Sequence, residues 1–134
     1  MTLVISDQVN AKLYSLKEQY EFLPYVEKRL EQAISQMNFH QRQMDSITDA
    51  GKTADREENS ASNHSFDYHY QKKLEQKKLK ENLVNAKLRI TTYHTYGRCT
   101  VTGKKIPAER LKSTPHTTVS KEGQEIRERK KTKS

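Results

Sequence analysis

Between Val9 and Met44 apolar side chains return at gaps of four and three: Val9, Leu13, Leu16, Tyr20 and Leu23, then Leu30, Ile34, Met37 and Met44. Glu27 and Gln41 occupy the two polar steps. This is the heptad spacing of a helix that lays one narrow stripe against a partner helix. Ser6 and Asp7 are good N-caps for it. The pattern predicts a helix over roughly 7–47, on the order of 60 Å long at about 1.5 Å per residue. Pro24 removes one backbone hydrogen bond inside it, so a kink or break is expected near Leu23.

The chain itself can supply the partner. From Asp49 to Ser65 the stripe disappears, and Gly51, Ser60, Ser62, Asn63 and Ser65 compete with helix through local side-chain bonding, which predicts the turn of a hairpin. A second helix over about 66–93 then offers Phe66, Tyr70, Leu74, Leu79, Leu83, Ala86 and Ile90 to the seam. Its basic face, including Lys72, Lys73, Lys77, Lys78 and Lys80, reads first as solvated surface. Hydrophobic residues make up 32% of the 134 and charged ones 31%, and mean hydropathy is -1.07. That is too little apolar material for a thick core, but enough for one seam. The expected fold class is all-α: a long antiparallel helical hairpin, a small C-terminal module and a short C-terminal helix. The expected organisation is a hairpin over 1–94 with its tip around 46–65, a module over 95–123, and a basic helix or tail over 124–134.

The formal charge of +8 favours polyanionic surroundings such as a nucleoprotein complex. One cysteine excludes an intrachain disulfide framework and fits a reducing compartment. Met1–Ile5 is too short for a signal h-region, and no later stretch reaches about 18 apolar residues. A cytoplasmic protein with no membrane partner is expected. An enzyme is not: the chain has no Gly-rich phosphate loop, no HExxH, and no nucleophile with a base and an orienting group. Its five histidines, His40, His64, His69, His94 and His116, are scattered, and His64 and His69 are poorly spaced to share a helix face.

Gly97 and Gly103 mark tight turns in the module, with Ile106, Leu111 and Val119 as its small core and Tyr93 and Tyr96 supplying area from the base of the hairpin. The run Tyr96-Gly97-Arg98-Cys99-Thr100-Val101-Thr102-Gly103, followed by Ile106, Arg110-Leu111 and Pro115-His116, resembles the C-terminal finger of the DksA/TraR family. In that family C-x2-C, seventeen residues and a second C-x2-C give one metal four thiolates. The corresponding positions here are Cys99, Thr102, Ser120 and Gly123, of which only the first is a ligand of that kind. Zinc is therefore not expected as a cofactor. A site rescued by Cys99 with His94 or His116 is the alternative, and it would need a fourth ligand.

The resemblance implies a regulator that binds RNA polymerase and carries acidic residues at the hairpin tip into its secondary channel. With one extra residue allowed in the second helix just before Tyr96, the family's acidic pair falls on Asp55 and Glu58, and its phenylalanine on Phe66. Arg98, Arg110, Lys112 and Arg127 are the candidates for partner contacts at the broad end. Two positions that are basic in members responding to ppGpp are Thr114 and Gln124 here, so the resemblance does not extend to that ligand. The expected function is non-enzymatic modulation of initiation by a monomer. The alternative is a basic coiled-coil adaptor that binds nucleic acid or a nucleoprotein complex. A self-associating coiled coil is disfavoured by Glu27 and Gln41 in the seam.

Overall fold

The computed structural model describes residues 13–51 and 56–133. Helix α1 spans Leu16–Gly51 and α2 spans Arg56–Leu88, passing directly into a π-helical turn at Arg89–Tyr93. Two further helices follow, α3 at Ala108–Ser113 and α4 at Lys121–Lys133. No strand forms among the described residues, where Arg98 and Lys105 make one isolated antiparallel bridge. The all-α hairpin with a small C-terminal module and a C-terminal helix is thus the observed architecture. None of the described helices is long and apolar enough to cross a membrane.

Contacts divide the chain into two units. One, the finger unit, takes the described residues up to Lys28 and those from Leu83 onward; the other, the hairpin unit, is Arg29–Asn82.

In the finger unit α1 starts with a reciprocal cap. The Ser15 N–H donates to Glu18 Oε1 at 2.9 Å, and the Glu18 N–H donates to Ser15 Oγ at 3.2 Å. This S-x-x-E pair satisfies orphan donors of the first turn. The expected caps Ser6 and Asp7 lie outside the described residues. Helix α1 then runs through Pro24 without a break. Pro24 is exposed, as is Tyr20, whose carbonyl loses its helical partner, so the vacated position is on the water side.

The core of this unit is aromatic and aliphatic. Phe22 meets Tyr14 edge-on at 5.1 Å between ring centroids and Tyr96 at 5.7 Å. Val26, Leu83, Ala86 and Ile90 have no exposed surface. Ile106, Leu111 and Val119 are buried as expected, but Tyr93 is 64% exposed and contributes no core. Tyr96 alone fills that role.

The hairpin unit is antiparallel. Gln41 meets Lys73, whose Nζ donates to Gln41 Oε1, while Ala33 lines a surface cavity with Gln76 and Leu79. Its seam is mostly polar or small: Ala33, His40 and Met44 are the buried residues of α1 here. His40 Nδ1 and His69 Nδ1 lie 2.8 Å apart, one donating and one accepting.

Three expectations are corrected. Leu16, Tyr20 and Ile34 are 39–46% exposed, and on α2 so are Tyr70 and Leu74. The buried phase of α1 shares Leu30, Met37 and Met44 with the expected one, but its other steps fall on Val26, Ala33 and His40. That phase leaves Glu27 in water, which spares the cost of burying a charge. Second, helix persists through the described part of 49–65, because α1 reaches Gly51 and α2 begins at Arg56. Serine and asparagine lower helix propensity by only a few tenths of a kcal/mol each, too little to end a packed helix. Third, of the kink or break expected near Leu23, the break does not occur, since the helix is continuous there.

Candidate functional site

Tyr96 to Ile106 folds as a knuckle around Cys99. Gly97, at φ +86°, lies under the Tyr14 ring; a Cβ there would stand 2.3 Å from Tyr14 Cδ2. Only glycine satisfies both the backbone and the contact. The Cys99 N–H donates to the Lys104 carbonyl at 2.8 Å and the Gly103 N–H to the Cys99 carbonyl at 2.9 Å, while Gly103 itself takes φ +73°. The Ile106 N–H closes the loop on the Gly97 carbonyl, and the Thr100 N–H reaches the Thr118 carbonyl in the second half of the module.

Cys99, Thr102, Ser120 and Gly123 converge. Cys99 Sγ accepts from the N–H of Thr102 at 3.4 Å, the N–H of Ser120 at 3.3 Å and the Ser120 hydroxyl at 3.5 Å. The same Ser120 Oγ accepts from the Gly123 N–H at 3.0 Å, capping α4. A Cβ on Gly123 would stand 2.6 Å from Sγ, so the fourth position is occupied by the sulfur itself. Burial pushes the Cys99 thiol up, but the hydrogen bonds from Ser120 and Thr102 outweigh it and bring the pKa down to about 6. With no exposed surface, this sulfur is positioned as an acceptor in a small polar knot rather than as a nucleophile.

The other candidate residues are distributed around this unit. Arg98 is exposed on the knuckle. Arg110 on α3 is engaged internally, its Nε donating to the Val119 carbonyl and its Nη2 to Gln124 Oε1, both at 2.9 Å. Lys112 is exposed with its Nζ 6.0 Å from the Tyr25 ring centroid, and Arg127 is exposed on α4. His94, in left-handed backbone at φ 57°, sets Nδ1 2.8 Å from the Ile90 carbonyl. No group of three or more His, Cys, Asp or Glu side chains converges among the described residues. Asp55 lies outside the described residues, and Glu58 falls within α2 with its side chain outside them.

Two positioning residues escaped the sequence reading. Buried Gln19 donates from Nε2 to the carbonyls of Tyr14 and His94 and accepts the Tyr96 N–H on Oε1, so one amide fixes the entrance to the knuckle. The Tyr14 hydroxyl donates to the Ile106 carbonyl at the exit. Periodicity of apolar residues has no signal for the glutamine. The S-x-x-E at Ser15 was the available cue that α1 begins beside Tyr14.

A long helical hairpin joined to a cysteine knuckle defines a hairpin-and-finger protein. The prokaryotic DksA/TraR C4-type zinc finger model matches residues 94–129. The fold is similar to the transcription factor DksA2 from Pseudomonas aeruginosa, with a TM-score of 0.67, 21% identity, and coverage of 84% of this chain and 85% of that one. Comparison with curated proteins gave no match. The likeness to the DksA/TraR family is thus one of the finger segment at 94–129, and the likeness to DksA2 is one of fold.

The match corrects the expectation about zinc, because the segment at 94–129 matches the model of a C4-type zinc finger family. At the four ligand positions this chain offers one sulfur, a Thr102 hydroxyl that accepts the Lys104 N–H at 3.2 Å, the Ser120 hydroxyl and a glycine. These do not fit a four-thiolate site.

Proposed function

We propose that this chain is a non-enzymatic regulator of transcription that binds RNA polymerase and offers the acidic pair Asp55 and Glu58, expected near the hairpin tip, to the secondary channel. The observation that carries this reading is the joint presence of the family's finger segment and of a hairpin fold shared with a transcription factor. The π-helical turn at Arg89–Tyr93 supports the placement of the acidic pair, since a wide turn is where a helix accommodates one additional residue. Exposed Arg98, Lys112 and Arg127 are the proposed partner contacts, with Arg110 holding the module in shape behind them.

The test is co-purification with polymerase holoenzyme followed by transcription in vitro. Asp55→Asn with Glu58→Gln is expected to remove the effect on initiation while leaving binding largely intact; unchanged regulation sinks the role of the turn. Absence of polymerase binding sinks the reading as a whole. Tighter binding to free DNA than to polymerase, steeply weakened by salt, would assign the function to the basic helix faces instead.

A further inference from the structure

Beside the knuckle the finger unit holds a cavity of about 310 Å³ lined by Arg89, Thr95, Arg98, Cys99, Thr100 and Thr118. Its volume falls at the lower end of the range of roughly 300–1,000 Å³ for small-molecule sites. The lining is rich in donors, with two guanidinium groups and three hydroxyls against the single Cys99 sulfur and no carboxylate. Arg89 Nη2 is buried and has no hydrogen-bond partner among the described residues. A buried, charged donor without an acceptor is costly, and here that cost is carried at the wall of a cavity. Burial pushes the Arg89 pKa below its ordinary value, but a guanidinium remains charged at neutral pH. Cys99 does not compete for it, since its sulfur is engaged by Thr102 and Ser120. Arg89 also opens the π-helical turn, a local geometry that recurs at functional sites.

We propose that this cavity binds a phosphate group, either free or as the phosphate of a small ester, between the forks of Arg89 and Arg98 with the threonine hydroxyls as further donors. Phosphate fits better than carboxylate, because the lining presents more donors than two oxygens can accept, and guanidinium forks match phosphate geometry. Neither Thr114 nor Gln124 lines the cavity, so it is separate from the positions considered for ppGpp. The inference does not depend on polymerase binding.

The test is an NMR titration of the full chain with inorganic phosphate at constant ionic strength, with chloride as the reference. Saturable shifts are expected at the amides of Thr95, Arg98, Thr100 and Thr118. Arg98→Gln should weaken binding about tenfold or more, the loss of a charge-assisted pair. Arg89→Lys, which keeps the charge and loses the fork, should also weaken it. Arg98 is exposed, so its variant is expected to fold; if the Arg89 variant does not, Arg98→Gln alone decides. Adenosine monophosphate binding more tightly than inorganic phosphate would identify an ester as the source, and equal binding would identify the free ion. Shifts that grow linearly as with chloride, an affinity unchanged in Arg98→Gln, or glutarate binding as tightly as phosphate would each overturn the proposal.

Discussion

The finger unit and the hairpin unit draw on the same two helices and hold them together by different means. In the finger unit Val26, Leu83, Ala86 and Ile90 are fully buried, and a polar frame made by Gln19, Tyr14 and Ser120 fixes the loops around them. In the hairpin unit the seam carries Ala33, His40 and Met44 against His69, Lys73 and Gln76, and much of its complementarity is hydrogen bonding. Apolar burial supplies most of the free energy of packing, so the two units should differ in how readily they open. A module folded around closely fitted loops is built from the first kind of seam. A two-helix arm can be built from the second.

The largest effect is expected from Gly97→Ala. Left-handed backbone costs a non-glycine residue about 1–2 kcal/mol, and forcing a methyl into the Tyr14 ring adds about 1–3 kcal/mol. Urea denaturation should show the loss, and an unchanged midpoint would refute the close approach. Next come two leucine-sized truncations that set the units against each other. Leu111→Ala, at a position with no exposed surface, should cost about 2–5 kcal/mol. Ile34→Ala in the hairpin unit, where the side chain is 39% exposed, should cost under about 1 kcal/mol. Equal losses in the two variants would erase the distinction.

Acid should separate the units further. Burial first, then His69 and Lys72, hold the His40 pKa below its ordinary 6.5, with Glu75 acting in the opposite direction. The unfolded chain therefore takes up that proton first, and the associated stability is present above pH 6.5 and lost as pH falls below it. The Glu18 carboxyl, held below 4.5 by hydrogen bonds from Ser15, contributes stability that is lost only as pH falls below that value. The Cys99 thiol, lowered from 9.0 to about 6, contributes stability that is lost as pH falls from 9.0 through about 6. Hydrogen exchange corrected for intrinsic rates should thus show amides around Cys99 losing protection first and those around Phe39–Gln43 following as pH falls below 6.5. Simultaneous opening would contradict the comparison. The smallest effect belongs to the exposed pair of Lys87 and Glu27 at 3.6 Å: Glu27→Gln should change stability by less than about 1 kcal/mol.

The two-helix architecture was legible because its signal is repeated many times along the chain. Its phase was less so. Leu30, Met37 and Met44 belong to both candidate stripes, and the choice between Ile34 and Ala33 turns on where Glu27 can stay wet, which the size of the apolar residues does not reveal. The extent of the helices near the tip was underestimated because serine and asparagine disfavour helix weakly, and a long packed helix outweighs them. In the module the four converging positions were readable through the resemblance to the DksA/TraR finger, whose ligand spacing falls on Cys99, Thr102, Ser120 and Gly123. The polar frame was not: Gln19 meets Tyr96 across 77 residues of sequence, and no local pattern encodes such a contact.

The wide turn at Arg89–Tyr93 has a bearing on how this arm tolerates change in length. In an ordinary helix one added or lost residue swings everything beyond it by about 100°. A loop of backbone that already spans five positions, with the His94 N–H reaching back to the Arg89 carbonyl, acts as slack. Shortening the chain there by a single residue would tighten the coil to a standard pitch and keep Ile90 facing inward, whereas the same deletion among Leu83–Leu88 would turn a greasy face to the solvent.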